Sequence, residues 1–328
     1  MKKLFLVIVT IFLFLYPAGG SDPRPGNSAV FQLGSDRYIL NGAEYTMDSI
    51  AFMEKNRVFV PVRYLVLACG LNNDEVSWDN NKVTLTQNGR SMTLQLGNRL
   101  LDVGGMLLET DAVPEVIGGR VCLPARQVAE FFGYSVKWEA TAAALLIFPP
   151  GGISPEPPQK FDLVLVNKVH PLPKGYHPGP LAVIGDQQIS QQIQEPLQTL
   201  LAEARDMGFL LFVNYGYRST KEQDLLYRSR VKLYGRRYAS TTVALPDYSE
   251  HQTGLAVDLK GSAAAYRWLW QNCWRYGFIL RYPAGKQAVT GYVHEPWHYR
   301  YVGIAAATFM HDKNIPTLEE YTSYIMLH

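Results

Sequence analysis

A duplicated segment in the first half of the chain constrains the fold more strongly than any other feature of the sequence. One copy reads RVFVPVR and then VSWD within residues 57–79, and the other reads RVCLPAR and then VKWE within residues 120–139. Equivalent prolines, Pro61 and Pro124, lie 63 residues apart. In each copy a β-rich run leads into proline, and a short amphipathic segment then stops at glycine, which is typical of a strand followed by a short helix. The repeat predicts a small duplicated α+β module over residues 30–148.

The doubled PxR…G…W pattern resembles the copper amine oxidase N-terminal domain. The resemblance covers about residues 30–148 and implies an adhesive or stalk role outside the cell. Copper itself is not expected there, because this segment contains no histidine and no cluster of metal-ligand residues. The expectation is a spacer or binding module rather than a catalytic domain.

Residues 1–20 have the pattern of a secretory signal peptide. Two lysines precede the apolar run LFLVIVTIFLFLY at 4–16, and small residues follow it. This run is short for a transmembrane helix, which needs about 20 apolar residues. The sequence therefore predicts an exported protein, extracellular or associated with a bacterial cell wall, and an uncleaved N-terminal membrane anchor is the alternative.

Composition and charge exclude two classes of protein. Hydrophobic residues make up 47% of the chain and charged residues 18%, which is too apolar for a chain that is disordered throughout. The formal net charge is +2, and two of the positive charges, Lys2 and Lys3, belong to the predicted signal peptide. Recognition of nucleic acid through a broad basic surface therefore has little support. The three cysteines are expected to be buried thiols, with a Cys69–Cys122 disulfide as the alternative.

A proline-rich stretch divides the chain. The sequence PPGGISPEPP contains five prolines in ten residues, so residues 149–159 are predicted to be a semi-rigid linker. Beyond it, residues 160–328 mix helical and strand patterns without a βαβ alternation, which predicts an α+β domain. The patterns indicate a strand at 163–166, a helix that ends near Gly235 and a helix at 262–276.

The first segment with catalytic character is SEHQTGLAVD, which ends at Asp258. Because Leu255, Val257 and Leu259 share one face of the predicted strand, Asp258 lies on the other. Small residues keep that second face shallow, so His251 and Asp258 can converge on one point. A carboxylate in such a place needs a partner. That partner is either a cation or, without any metal, the imidazole itself.

The second segment, HEPWH, contains a literal HExxH but is not expected to be a helical zinc motif. Pro296 lies in the middle of it, where proline breaks a helix. Without a helix His294 does not align with His298, so His294 is expected at the rim of the site. Glu295 and His298 remain. Together the two segments offer two imidazoles and one carboxylate, and zinc enzymes commonly use three protein ligands and leave a fourth position open for water. The remaining carboxylate then accepts a proton from that water as it attacks a carbonyl.

These segments together resemble the SxHxxGxAxD and ExWH motifs of the VanY-type D-alanyl-D-alanine carboxypeptidases. That family belongs to the LAS group of zinc peptidases, named after lysostaphin, the D-Ala-D-Ala enzymes and hedgehog. The resemblance spans about residues 160–305 and implies a hedgehog/D-Ala-D-Ala-peptidase-like zinc domain. It implies one Zn²⁺ per chain, bound by His251, Asp258 and His298, with Glu295 as the catalytic base. It also implies that substrate is bound by Arg218, Gln223 and Ser249.

The function that follows from the resemblance is an exported zinc carboxypeptidase that removes the C-terminal residue, D-alanine, from peptidoglycan stem peptides. D,D- and L,D-cleavage both stay open. The alternatives are an endopeptidase of the same group and an inactive wall-binding protein. Arg218 is expected to bind the terminal carboxylate of the substrate, since guanidinium matches carboxylate bidentately, and a structural pair with Glu222 is the alternative.

Other partners are left open at two places. The N-terminal module is a candidate for binding further cell-wall components. A basic cluster lies around the end of the helix predicted to end near Gly235, and it is either a solvated helix face or a contact for an anionic wall polymer. The cluster consists of Arg228, Arg230, Lys232, Arg236 and Arg237.

Overall fold

The duplicated segment folds with its two copies interlocked. The structure is a computed structural model that describes residues 26–156 and 163–327. The predicted signal peptide and residues 157–159 of the predicted linker lie outside the described residues. Within the described residues, no helix combines the length and the apolar character that a membrane crossing requires.

Fourteen strands and two short helices make up the described part of the N-terminal module. The strands are β1 (Ala29–Gln32), β2 (Arg37–Leu40), β3 (Ala43–Thr46), β4 (Phe52–Glu54), β5 (Arg57–Pro61), β6 (Val76–Asp79), β7 (Lys82–Gln87), β8 (Arg90–Gln95), β9 (Leu100–Val103), β10 (Met106–Glu109), β11 (Glu115–Ile117), β12 (Arg120–Pro124), β13 (Ser135–Glu139) and β14 (Ala144–Phe148). The helices are α1 (Val62–Ala68) and α2 (Ala125–Phe131).

Each sheet of the module combines strands from both copies. The first copy supplies β1 to β7 and the second supplies β8 to β14. The sheets have the orders β13-β14-β1-β2-β3, β10-β9-β8-β7-β6 and β11-β12-β5-β4. The two helices pack over the shared core, where the equivalent residues Leu65 and Val128 are fully buried. Cys69 and Cys122 are buried free thiols in this core, so the structure does not contain the alternative disulfide.

The second half of the chain is built around one four-stranded sheet. Its strands and helices are β15 (Leu181–Ile184), β16 (Gln187–Ser190), α3 (Gln194–Asp206), β17 (Phe212–Tyr215), α4 (Thr220–Thr242), β18 (Ala256–Lys260), α5 (Ala263–Asn272), β19 (Phe278–Leu280), α6 (Gln287–Thr290), β20 (His298–Tyr301), α7 (Ile304–Asp312) and α8 (Leu318–Leu327). The sheet has the order β17-β18-β20-β19, with every pair antiparallel. Side chains of α3 and α5, such as Leu200 and Leu269, pack with Leu259 of the sheet in one buried cluster. The mixture of helices and antiparallel strands confirms the predicted α+β class.

Two local expectations need correction, and a third is confirmed. No strand forms at 163–166; instead, backbone carbonyls of this segment accept hydrogen bonds from Arg281 and Arg300. The helix predicted to end near Gly235 is interrupted there, because Gly235 has a φ of 78° and a ψ of 156°, and a second helical segment, included in α4, then runs to Thr242. The helix predicted over 262–276 ends at Asn272 and is followed by a 3₁₀ turn that closes at Gly277.

The last two helices pack against the N-terminal module. Phe309 of α7 lies in the same buried cluster as Phe52 of β4, with ring centroids 5.0 Å apart. On α8, the hydroxyl of Tyr321 donates a hydrogen bond to the Gly34 carbonyl at 2.8 Å. Lys313, between the two helices, forms ion pairs with carboxylates of the module. Beyond the four-stranded sheet, the last two helices therefore pack into the core of the first module.

Candidate active site

Three predicted ligand residues converge at one end of the sheet. Asp258 on β18 lies directly across from His298 on β20 in the antiparallel register. His251 comes from a 3₁₀ turn just before β18. Asp258 Oδ1 lies 2.9 Å from His298 Nδ1 and 3.5 Å from His251 Nε2. One ligand atom from each of the three residues lies within 4.8 Å of the others, so these residues could hold a metal ion.

A hydrogen bond orients the ring of His251, and a carboxylate lies behind the ring of His298. His251 Nδ1 lies 2.7 Å from the Gly216 carbonyl and donates to it, which leaves Nε2 free as an acceptor on the Asp258 side. His298 Nε2 lies 3.6 Å from Glu250 Oε2, and its Nδ1 faces Asp258. A carbonyl or carboxylate behind each ring is the usual support for a metal-ligating histidine.

The pKa values of the cluster favour a cation at its centre. Burial lowers the pKa of His251, although Asp258 opposes this effect. Burial acts to raise the pKa of Asp258, but contacts with His251 and His298 hold it below its usual range. Burial acts to lower the pKa of His298, but Asp258 and Glu250 outweigh burial and raise it to about 9. The same negative charge that holds a proton on His298 attracts a metal ion.

An incomplete hydrogen-bond pattern also fits a metal. Asp258 Oδ1 is buried and receives no well-directed hydrogen bond from any of the described residues. Buried carboxylate oxygens without partners are rare, because the desolvation cost of such an atom is high. With two imidazole nitrogens beside it, this oxygen completes the three-ligand set that catalytic zinc commonly uses.

Glu295 lies beside the cluster but outside the ligand set. Its Oε2 is 3.8 Å from His298 Nδ1, and only 9% of the residue is exposed. Burial raises the pKa of the Glu295 carboxyl to about 7, with Asp258 adding to the rise and His298 opposing it. A carboxylate with a pKa near neutrality is suited to accept a proton from water.

The HEPWH segment is not helical, which confirms that part of the sequence prediction. Residues 293–297 form an extended stretch and a turn that leads into β20. His294 is exposed, and its Nδ1 lies 2.9 Å from the Tyr282 carbonyl, away from the three-residue cluster. The turn instead places Glu295 and His298 on the same side.

The predicted substrate-binding residues line the cavity that contains the cluster. This cavity has a volume of about 750 Å³, and Arg218, Gln223 and Ser249 are among its lining residues. Arg218 Nη1 donates to Gln223 Oε1 at 2.9 Å, while Gln223 Nε2 donates to the Ala244 carbonyl at 2.7 Å. The alternative partner Glu222 is engaged elsewhere, because it caps α4 through Ser219. The guanidinium of Arg218 is thus held in the cavity wall by an amide, and no carboxylate of the described residues lies at ion-pair distance from it.

A charged network that was not predicted from the sequence lies behind His298. Glu250 is 2% exposed, and its Oε1 accepts from Arg281 Nε at 2.8 Å and from Arg300 Nη1 at 3.1 Å. Arg281 also makes two hydrogen bonds to Glu319 of α8, at 2.8 and 2.7 Å. Glu250 stands next to His251 in the sequence, which was the one available signal. Its arginine partners come from distant parts of the chain.

Comparisons with known proteins find a family match for each half of the chain. A family profile described as "VanY: D-alanyl-D-alanine carboxypeptidase" matches residues 186–304. A second one, "Copper amine oxidase N-terminal domain", matches residues 25–75 and 39–147.

Curated relatives share more than a third of their aligned residues with this chain. A D-alanyl-D-alanine carboxypeptidase of Enterococcus faecalis is 39% identical over 178 residues, which is 50% of this chain and 66% of the relative. A putative carboxypeptidase of Bacillus subtilis is also 39% identical, over 48% of this chain and 66% of the relative. The chain thus spans slightly less than two thirds of the length of these two proteins. The bifunctional D-Ala-D-Ala dipeptidase and D-Ala-D-Ala carboxypeptidase VanXYC of Enterococcus gallinarum is 38% identical, and 94% of its length is covered.

A solved structure of VanYB in complex with D-alanine-D-alanine is 39% identical, covers 49% of this chain and 96% of its own, and has a TM-score of 0.46. The sequence matches and the two motifs agree on the same segment, in which His251, Asp258, Glu295 and His298 all lie. Through this segment, the chain belongs to the VanY family of D-alanyl-D-alanine carboxypeptidases.

Proposed function

We propose that the protein is an exported zinc carboxypeptidase that removes the C-terminal residue from peptidoglycan stem peptides. The observation that carries this proposal is one cavity that holds a His–Asp–His cluster, a buried glutamic acid of raised pKa and an arginine that forms no ion pair with the carboxylates of the described residues. Each of these three parts has a distinct role in cleaving a peptide at its carboxyl end.

The metal in this proposal is one Zn²⁺ per chain, held by His251, Asp258 and His298. When bound, Zn²⁺ supplies Lewis acidity, which polarises a carbonyl oxygen and lowers the pKa of water. The protein contributes the orientation of its ligands. The Gly216 carbonyl fixes the ring of His251, and Glu250 faces the outer nitrogen of His298.

Glu295 is the general base. Its carboxylate stands on the open side of His298, accepts a proton from the attacking water and later donates it to the leaving amine. Because burial brings its pKa to about 7, both directions of this proton transfer are accessible near neutral pH.

Arg218 is the group that recognises the substrate's terminal carboxylate. Gln223 holds the guanidinium through a single hydrogen bond, so further N–H donors remain for a carboxylate. The family description and the names of the enterococcal relatives support a substrate that ends in D-alanine. Export is supported by the signal-peptide pattern of residues 1–20.

Mass analysis of digested muropeptides tests the reaction. Release of one terminal amino acid supports the proposal, and cleavage into two peptides supports the endopeptidase instead. Zinc binding without any hydrolysis would support the inactive wall-binding protein. Pentapeptide and tetrapeptide substrates, assayed side by side, separate D,D- from L,D-cleavage.

The role of Arg218 has its own test in a substrate whose terminal carboxylate is amidated. We expect the wild type to cleave this amide poorly and the Arg218→Ala variant to discriminate much less between acid and amide. In Arg218→Lys, loss of the bidentate contact raises KM more than it lowers kcat. Equal hydrolysis of acid and amide by the wild type would contradict the carboxypeptidase assignment.

A further inference from the structure

Helix α4 forms one wall of the cavity yet is almost entirely exposed. Of its 23 residues, only Gln223 and Ala239 are buried. Apolar and aromatic side chains on it face solvent, including Leu233, which is 66% exposed. Helices of globular proteins normally bury an apolar face, so a long helix with so little burial is an unusual wall for a catalytic cavity.

Three side chains on α4 form a ladder beside the cavity. Arg230, Tyr234 and Tyr238 are spaced four residues apart, and the break in the helix at Gly235 falls between the two tyrosines. The guanidinium of Arg230 lies 5.7 Å from the centre of the Tyr234 ring, and the Tyr234 and Tyr238 rings lie 5.4 Å apart. Both ends of this α4 ladder, Arg230 and Tyr238, line the same cavity as His251.

The charge around the α4 ladder is strongly positive. Arg228 pairs with Asp224 one turn away. Within the parts of the chain that the structure describes, Lys232, Arg236 and Arg237 are exposed and form no ion pair. Helix α4 therefore combines flat aromatic rings with cations that have no ion-pair partner among the described residues, and two ladder residues, Arg230 and Tyr238, line the cavity where a stem peptide would bind.

We infer that the α4 ladder binds the polymer that carries the stem peptide, namely the peptidoglycan strand beyond the peptide being cleaved. This inference rests on the proposed function and names the form of its substrate. Sugar rings present apolar C–H faces that stack on tyrosine, and neighbouring stem peptides carry free carboxylates that attract arginine and lysine. A peptide whose end lies in the cavity must leave it past some wall, and α4 is a wall that offers both kinds of contact. The enzyme thus prefers stem peptides attached to glycan over free peptides.

The test compares two substrates with the same stem peptide, one free in solution and one attached to a soluble glycan oligomer. The ladder variant combines Arg230→Gln, Tyr234→Ser and Tyr238→Ser. We expect its ratio of glycan-borne to free-peptide kcat/KM to fall about tenfold relative to the wild type, as truncation of arginine and tyrosine contacts in binding surfaces commonly does.

The matched control combines Arg228→Gln and Tyr45→Ser. It removes a charge from the same helix and an exposed tyrosine from the N-terminal module, both outside the α4 ladder. We expect this control to keep the wild-type ratio. An unchanged ratio in the ladder variant overturns the inference, and so does an equal fall in the control.

A binding assay separates this inference from the proposed function. The Glu295→Gln protein, with and without the ladder substitutions, is sedimented with insoluble peptidoglycan. A loss of binding of about tenfold on ladder substitution supports the surface even if the wild type hydrolyses neither substrate. Competition by a poly(glycerol phosphate) chain as effective as that by soluble glycan peptides would overturn it and identify an anionic polymer as the occupant.

Discussion

The two glutamates that face His298 differ in the charged groups that surround them. Glu250 lies behind the ring, 3.6 Å from Nε2, and Glu295 lies on the cavity side, 3.8 Å from Nδ1. Both residues are buried. Burial acts to raise the pKa of both, yet arginines 281 and 300 hold the pKa of Glu250 well below its usual range, whereas the pKa of Glu295 rises to about 7.

The difference comes from the placement of cations, not from burial. A buried carboxylate with two guanidinium partners stays charged and serves as a fixed part of the framework. A buried carboxylate without such partners can take up and release a proton near neutral pH. The rear side of His298 is therefore suited to hold a ligand in place, and the cavity side is suited to proton transfer.

The sharpest way to test this division is Glu295→Gln. The substitution removes the base but no ligand, so we expect turnover to fall by about 10²–10⁴-fold. Bound zinc should stay at the wild-type level, because Glu295 lies outside the three-residue cluster. Steady-state kinetics and metal analysis on the same preparation check both expectations.

The matched control for this loss is His298→Ala, which should lose bound zinc as well as activity. If Glu295→Gln turned over substrate at close to the wild-type rate, Glu295 would not be the base. If His298→Ala kept a full complement of zinc, the ligand assignment would be wrong.

The same substitution at Glu250, behind His298, should affect stability and zinc binding rather than turnover at saturating zinc. Glu250→Gln leaves Arg281 and Arg300 with less compensation in the interior, and breaking a buried ion pair typically costs about 3–5 kcal/mol of the free energy of unfolding. Since Glu250 also supports a metal ligand, we expect zinc affinity to fall about 10–100-fold. Denaturant unfolding and competition with a chelator measure the two effects.

The comparison between the two variants is decisive because both replace glutamate by glutamine beside one histidine. Stability and zinc affinity should respond to Glu250→Gln, and turnover at saturating zinc should respond mainly to Glu295→Gln. Identical patterns in the two variants would contradict the division between framework and proton transfer.

The residues on the cavity side of the site could be predicted from the sequence, but the charged network behind His298 could not. His251 and Asp258 are seven residues apart in a motif whose strand alternation fixes which face Asp258 occupies, and Pro296 was enough to exclude a helical HExxH. Glu250 bonds to Arg281 and Arg300, which are 31 and 50 residues away. Such pairs depend on tertiary packing, and no local pattern marks them.

In the N-terminal half, too, features that depend on tertiary packing could not be predicted from the sequence. The spacing of 63 residues predicts two copies of one unit, but it does not reveal that each sheet takes strands from both copies. The apolar run at 163–166 looks like a strand by composition alone. Its carbonyls are instead bound by two buried arginines, and only the fold determines where those arginines lie.

The smallest expected effect concerns the outer end of the rear network, where α8 contributes Glu319. This residue accepts two hydrogen bonds from Arg281 and one from Asn167, and α8 itself packs in the core of the N-terminal module. In Glu319→Gln one acceptor oxygen and the negative charge are lost while Glu250 still compensates Arg281. We therefore expect the free energy of unfolding to fall by about 1–3 kcal/mol.

The neighbouring Glu320→Gln provides the control for this last prediction. Glu320 pairs with Lys286 while about a third of each side chain is exposed, and glutamine keeps the capping role toward Thr317. The free energy of unfolding should therefore change by less than about 1 kcal/mol. Chelator competition should show a small fall in zinc affinity for Glu319→Gln and none for Glu320→Gln, because only Glu319 connects through Arg281 and Glu250 to His298. Equal stability and equal zinc affinity in the two variants would mean that the network ends at Arg281 and that α8 only packs in the core of the N-terminal module without supporting the site.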